Sequence, residues 1–334
     1  MKSWVSHEPG GPEALVLEDV PVPTPGQGDV LVRVRAVGIN FPDSLLIRGQ
    51  YQVSPPRPLT PGSEFCGDVE ATRDHESGLK PGDRVIGVSG WGAMAEYVTM
   101  PARALTKAPD SLPYATGAAF LFTYATAYHA LRDVADLQAE EKLVVLGAAG
   151  GVGRAAVELG RALGATVVAG VSSAEKLDFA LAAGATSGIV YDAELGPGGP
   201  QRDFTGRLRA LDPAGTGFDV VFDPVGGSYS EPAFRALGRG GRHLVVGFAA
   251  GIPRIPLNLV LLKGASIIGV DWRTFVEVEA ASNRRNVGEL LALWGSGSIS
   301  PAVTHIIPFS DAPSALALLD ARKAMGKIVV MLPE

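Results

Sequence analysis

The segment Gly147-Ala148-Ala149-Gly150-Gly151-Val152-Gly153 constrains this chain more than any other. An apolar run, Leu143-Val144-Val145-Leu146, leads into it, and a helical pattern from Arg154 to Leu163 leaves it. A second apolar run, Thr166-Val167-Val168-Ala169, follows about twenty residues on. That order opens a dinucleotide-binding α/β unit. Glycine lets the backbone approach a pyrophosphate, and the first helical turn offers it free N–H groups. Gly150 is read as the point of close approach and Gly153 as the place where the helix packs onto the strand. Ala148 stands where the pattern usually has its first glycine. Ala149, Gly150, Gly151, Val152 and Gly153 are the expected phosphate-facing residues.

Strand and helix keep alternating beyond this unit. A helix is expected at Ala174 to Ala183, with strands at Gly188 to Tyr191, Asp219 to Phe222, His243 to Val246 and Ile267 to Val270. Short apolar strands separated by helices specify a parallel sheet covered on both faces, and six of them fit a doubly wound fold. Residues 1 to 111 read differently. Asp29 to Val37, Val85 to Val88 and Ala95 to Val98 are short strands cut by Pro and Gly, as in a small barrel or sandwich. Tyr114 to Leu131 is Ala-rich and helical. Beyond Phe275 the sheet pattern ends: helices are expected at Asn286 to Leu293 and Ala312 to Ala324, then a strand Ile328 to Val330, a tail expected to return to the first domain. Gly196 to Pro200 reads as a surface loop.

Composition narrows the function classes. The chain's 334 residues suffice for two domains with cores of their own. A formal charge of −6 leaves no surplus of Lys and Arg for nucleic acid or an anionic membrane. Cys66 is the only cysteine, so neither an intrachain disulfide nor a Cys-rich zinc site can form. The first residues are too polar for a signal peptide, and the nearest candidate for a membrane span, Leu257 to Leu262, is stopped by Lys263. A cytoplasmic location is expected.

The end of the second strand discriminates between cofactors. An NAD site places Asp or Glu there for the ribose 2′-hydroxyl, whereas this chain reads Gly170-Val171-Ser172-Ser173-Ala174-Glu175-Lys176. Ser172, Ser173 and Lys176 suit a 2′-phosphate, which points to NADPH. The same residues also fit a plain helix start, with a serine as N-cap and Lys176 solvated, and one serine can do both.

At this point several stretches acquire a family likeness. Gly38-Ile39-Asn40-Phe41-Pro42-Asp43, Pro61-Gly62-Ser63-Glu64-Phe65 and Phe122-Thr123-Tyr124-Ala125-Thr126-Ala127-Tyr128-His129-Ala130-Leu131 carry it. So do the glycine turn, Phe222-Asp223-Pro224-Val225-Gly226-Gly227, Val246-Gly247-Phe248-Ala249 and Leu261-Leu262-Lys263-Gly264. Together they resemble the zinc-free quinone oxidoreductases of the medium-chain dehydrogenase/reductase superfamily, a group that includes zeta-crystallin-like proteins. The resemblance implies a GroES-like β-barrel catalytic domain from residues 1–122 and 273–334, with a Rossmann doubly wound parallel sheet, residues 123–272, inserted into it. It also implies an active site in the cleft between domains and an NADPH-using homodimer or homotetramer. Carried over by position, Tyr191 and Arg322 join Ser173 and Lys176 around the adenosine phosphate, and Gly247, Phe248 and Val270 line the nicotinamide half. Core packing is the competing reading of Phe248 and Val270, and a solvated helix face that of Arg322.

Zinc-dependent relatives need a catalytic Cys and a His before the glutamate. Here those positions hold Asn40 and Ser63, and the helical stretch around Leu121 offers no Cys. His7, His75, His129, His243 and His305 are scattered at no ligand-like spacing. Without a Lewis acid the acceptor must take hydride readily, as quinones and conjugated carbonyls do, and the protein must offer donors to the developing oxyanion. By family position Asn40, Tyr51 and Thr123 are the candidate donors. Asn40 could instead shape the turn before Pro42, Tyr51 pack on the barrel, and Thr123 bond its own helix. Asp43 and Glu64 are read as holding backbone. The expected activity is NADPH-dependent quinone reduction, with enone or enoyl-thioester reduction, or an NADPH-binding sensor with little catalysis, as alternatives.

Overall fold

The computed structural model describes residues 1–74, 76–191, 201–321 and 324–333, without the side chains of residues 201 and 202. Arg322, His75 and the Gly196 to Pro200 loop lie outside the described residues. The chain divides into two compact units, Met1–Phe122 with Pro301–Glu334, and Thr123–Ser300. The first strands are β1 (Lys2–Val5), β2 (Val16–Asp19), β3 (Asp29–Ile39), β4 (Glu64–Thr72), β5 (Arg84–Val88), β6 (Tyr97–Pro101) and β7 (Leu105–Lys107). The second unit carries β8 (Lys142–Leu146), β9 (Thr166–Val171), β10 (Ser187–Val190), β11 (Phe218–Asp223), β12 (Leu237–Val245) and β13 (Ser266–Gly269). The strands β14 (Val303–Pro308) and β15 (Lys327–Met331) complete the first unit.

In the first unit β3 is the organiser. Its sequence, DVLVRVRAVGI, is apolar at almost every position, and only Asp29, Arg33 and Arg35 escape full burial. Register shifts after Leu31 and Val34 bend it against β4. Its first half pairs with β6 and its last residues with β15, so one long strand turns the sheet β14-β15-β3-β4-β5-β7 around a core of Val30, Val32, Val37, Phe65, Met94 and Val330. Ile328 pairs antiparallel with Ile39, and Gly38 with Glu64. That register brings Lys327 of β15, Glu64 of β4 and Asn40, the residue after β3, to the same end of the sheet.

The second unit is a six-stranded, wholly parallel sheet of order β10-β9-β8-β11-β12-β13. The order reverses beside β8, and in such sheets the ligand crevice opens beyond the strand ends at the reversal. All six expected strands are present. β12 begins six residues earlier than its apolar pattern, because the polar stretch Gly238-Arg239-Gly240-Gly241-Arg242 is drawn into the sheet with a break in register against β11.

The stretch from Tyr114 is helical as expected, with wide, π-type turns at Leu121–Ala125 and His129–Val134 around Thr126–Tyr128. One expectation changes. Residues 273–300, expected with the first domain, group with the second unit. The helix Ala280–Gly295 is tied to that unit by Tyr128 donating to Glu289 and by Asn286 Nδ2 donating to Asp133 at 2.7 Å. These partners lie more than 150 residues apart in sequence, beyond the reach of local periodicity. Among the described residues no helix is long and apolar enough to cross a membrane.

Candidate cofactor and acceptor sites

At the glycine turn, two glycines differ in what requires them. A Cβ on Gly153 would sit 2.1 Å from the Gly147 carbonyl oxygen, so only glycine lets the helix Gly151–Ala162 pack this close. At Gly150 a Cβ would meet nothing nearer than 3.5 Å, and its φ of −79° suits any residue. Nothing among the described residues demands glycine there. Gly150 is the helix N-cap and supplies no side-chain cap, so the N–H groups of Gly151, Val152 and Gly153 begin the helix without a side-chain acceptor at the cap. Ala149 is buried beneath them.

At the end of β9 one serine begins the next helix and the other meets Lys176. Ser173 caps the helix Ala174–Ala182, accepting the Lys176 backbone N–H at 3.3 Å. Lys176 Nζ donates to Ser172 Oγ at 3.1 Å, so a hydroxyl and an ammonium stand together at the strand end. Tyr191 is buried, with its ring against Tyr229 and Phe204 at 4.7 and 5.6 Å. Burial pushes its hydroxyl well above the usual range, opposed by the Gly147 backbone N–H that faces it. Tyr191 thus walls the glycine turn from within the core.

Gly247 and Phe248 follow β12. The Gly247 and Ala250 N–H groups donate to the carbonyls of Asp223 and Val225, at 3.3 and 2.7 Å, and Gly227 N–H donates to Gly251 at 2.6 Å. Gly226 and Gly227 have φ of 72° and 57°, and a Cβ on either would come within 2.5 Å of a carbonyl in the facing loop. Behind this pair of loops lies Asp223, an unanticipated organiser. Its Oδ1 accepts from Val225 and Gly226 N–H, and its Oδ2 from Ser230 at 2.5 Å, with His243 Nε2 at 3.1 Å. Burial works to raise this carboxyl, but His243 and these donors hold it below the usual range. Phe248 is 46% exposed, so core packing does not account for it. Val270 is half-buried, its N–H on the Val245 carbonyl at 3.0 Å.

In the first unit, Asn40, Ser63, Glu64 and Lys327 form one buried network. Lys327 Nζ donates to Asn40 Oδ1 at 2.6 Å and to Glu64 Oε2 at 2.9 Å. Asn40 Nδ2 faces Glu64 Oε2, the Gly38 carbonyl and Ser63 Oγ at 3.1, 3.3 and 3.4 Å. Glu64 Oε1 accepts the Phe122 N–H at 2.8 Å, one residue before Thr123. Gly38 makes this possible: a Cβ there would lie 2.9 Å from the Glu64 carboxylate and 1.7 Å from the Ala118 carbonyl. Asp43 Oδ2 accepts the Asn40 backbone N–H at 2.8 Å, and burial pushes its carboxyl up to about 6. Asp43 and Glu64 therefore each hold a backbone N–H. Cys66, next in β4, is buried and its thiol is pushed up to about 12. Among the described residues no group of three or more His, Cys, Asp or Glu is placed to hold a metal ion.

Family profiles match over residues 26–110 ("Alcohol dehydrogenase GroES-like domain") and 151–285 ("Zinc-binding dehydrogenase"). The chain is 35% identical over 321 residues to the quinone oxidoreductase-like protein 2 of Bos taurus, spanning 95% of this chain and 89% of that one. It belongs to the zinc-free quinone oxidoreductase family of the medium-chain dehydrogenase/reductase superfamily. Solved structures agree. The quinone oxidoreductase of Thermus thermophilus, determined alone and with NADPH, is 35% identical with a TM-score of 0.85, covering 99% of this chain and 100% of its own. The Escherichia coli quinone oxidoreductase complexed with NADPH is 27% identical with a TM-score of 0.90, covering 99% and 100%.

Against the expectations for such a family member, Ser172, Ser173 and Lys176 come together, and Gly247 lies with Phe248 on the loop after β12. Tyr51 is half-buried in the segment after the helix Phe41–Ile47, and Thr123 is buried on the wide turn Leu121–Ala125. Lys327 was missed. A lone lysine before Ile328-Val329-Val330 carries no signal of its own, and its partners are 263 and 287 residues away.

Proposed function

We propose that this chain is an NADPH-dependent reductase passing hydride to a quinone or a similar conjugated carbonyl, without a metal, as a homodimer in the cytoplasm. The observation that carries the cofactor is the paired Ser172 hydroxyl and Lys176 ammonium at the end of β9, where an NAD site has a carboxylate. Gly150 supports it, being a glycine that nothing among the described residues demands. The family's NADPH complexes support it as well.

Bound NADPH supplies the hydride. The residues Gly150 to Gly153 would face its pyrophosphate with backbone N–H groups, and Ser172, Ser173 and Lys176 its 2′-phosphate. The loop bearing Gly247 and Phe248, with Val270, would hold the nicotinamide half, braced by Asp223 and His243. Asn40, Tyr51 and Thr123 remain the donors proposed for the acceptor's developing oxyanion.

Steady-state turnover of simple quinones with NADPH and with NADH tests this reading. NADPH activity unaffected by a chelator is expected; activity with NADH alone, a need for added zinc, or far faster turnover of an enoyl thioester would overturn it. Lys176→Ala is expected to raise the KM for NADPH about tenfold and leave that for NADH unchanged, as for loss of one charge-assisted bond to phosphate.

A further inference from the structure

The amide of Asn40 is held between a group that can only donate and a group that can only accept. An ammonium has no acceptor, so the atom facing Lys327 Nζ at 2.6 Å is the oxygen; an ionised carboxylate has no donor, so the atom facing Glu64 Oε2 at 3.1 Å is the nitrogen. Lys327 and Glu64 also bind each other at 2.9 Å in full burial. Reversing the amide would set a carbonyl oxygen against a carboxylate and an NH2 against an ammonium. The orientation of Asn40 is therefore fixed by charge rather than by packing.

On the reading of the site given above, we propose that Lys327 is a positioning residue for acceptor reduction, locking the Asn40 amide so that its NH2 edge is the one available to an acceptor oxygen. Two features of the geometry favour this. The Nδ2 contacts to Gly38 and Ser63, at 3.3 and 3.4 Å, are long enough that an incoming oxyanion can replace them. The ammonium on Oδ1 polarises the amide and strengthens its N–H groups as donors. The same Glu64 that meets Lys327 and Asn40 also holds the Phe122 N–H, so the lock extends to the start of the turn that carries Thr123. Register selects the partner: with Ile328 opposite Ile39, the residue before β15's first apolar position falls opposite Asn40.

The chain has four asparagines, Asn40, Asn258, Asn283 and Asn286, so selective 15N-asparagine labelling gives four side-chain NH2 pairs. The pair lost in Asn40→Ala is that of Asn40. In Lys327→Met this pair is expected to shift and broaden while the other three stay in place. NADPH binding should be unchanged and kcat for quinone about tenfold or more lower, the scale expected when an oxyanion donor is misplaced. Lys327→Met combined with Asn40→Ala should be no slower than Asn40→Ala alone. Should Lys327→Met fail to fold around an unpaired Glu64, Lys327→Met/Glu64→Gln removes both charges and carries the same measurements, read against Glu64→Gln alone because Glu64 also binds the Asn40 amide. An unmoved Asn40 pair, or rate losses that multiply in the double variant, overturns the proposal. The spectrum needs no substrate, so it reports the lock of Lys327 on the Asn40 amide even if the wild-type protein proves inactive towards quinones, which would overturn the activity alone.

Discussion

Asp43 places a carboxyl in full burial beside Glu64 and Lys327, with Oδ2 on the Asn40 backbone N–H and the Ser63 hydroxyl facing the carboxyl. Burial raises it from 3.8 to about 6; the Asn40 N–H, the Ser63 hydroxyl and Lys327 oppose the rise, and Glu64 adds to it. The folded protein thus binds this proton more tightly than the unfolded chain does. The contribution of Asp43 to stability is greatest below pH 4, falls as pH rises from about 4 to about 6, and is level above that, a total loss of about 3 kcal/mol. Asp43→Asn should abolish this component. Urea midpoints of both proteins between pH 4 and pH 7 measure it, and a difference between them that stays flat across that range contradicts it. Single residues of this kind were only half legible in the sequence. Asp43 and Glu64 could be assigned to holding backbone because they flank Asn40 and Ser63 in short motifs. Their charge environment could not be read, because Lys327 reaches them only through the pairing of β15 with β3.

Among the elements, local patterns were most legible where apolar strands alternate with helices. β8, β9 and the helix between them follow from runs of Val and Leu on either side of the glycine turn. β4 did not announce itself, since Glu64, Asp68 and Glu70 break its apolar run, although Phe65, Cys66 and Val69 are buried within it. The turn itself separates two uses of glycine that a sequence motif lumps together. Gly153 is required by the fold, so Gly153→Ala should lower both the melting temperature and NADPH affinity, through the 2.1 Å clash with the Gly147 carbonyl. Gly150 meets no such clash, and it is the proposed point of close approach for the pyrophosphate. Gly150→Ala should change stability by about 1 kcal/mol or less, as for an N-cap exchange, while weakening NADPH about tenfold or more. Thermal melts alongside fluorescence titration with NADPH separate the two. A Gly150→Ala protein with unchanged NADPH affinity would remove the close-approach argument.

At the scale of the whole molecule, the order of the two units in the chain could be read, but the return point could not. Periodicity marks where the sheet pattern stops near Phe275, whereas the return to the first unit comes only at Pro301, after a helix tied to residues far upstream. The same limit applies to assembly. The run Leu257 to Leu262 reads as apolar without saying what covers it. In the helix Leu257–Lys263 only Leu259 is buried, and Leu257, Leu261 and Leu262 are 77, 82 and 76% exposed. Beside it β13 is, among the described residues, the last strand of the sheet and paired on one side only, with Ser266, Ile267 and Gly269 open to solvent. An unpaired apolar edge next to exposed leucines is unfavourable in water, and a second copy that adds its own edge strand relieves both defects at once. Light scattering on the eluting protein should therefore give twice the 34.6 kDa chain mass. Ile267→Lys with Leu261→Glu should shift it to the single-chain mass, while leaving NADPH binding in place, because neither residue belongs to the glycine turn or to the Ser172–Lys176 pair. A wild-type protein that elutes as a single chain at micromolar concentration, or a double variant that stays paired, would leave this edge without a partner and move the contact elsewhere on the surface.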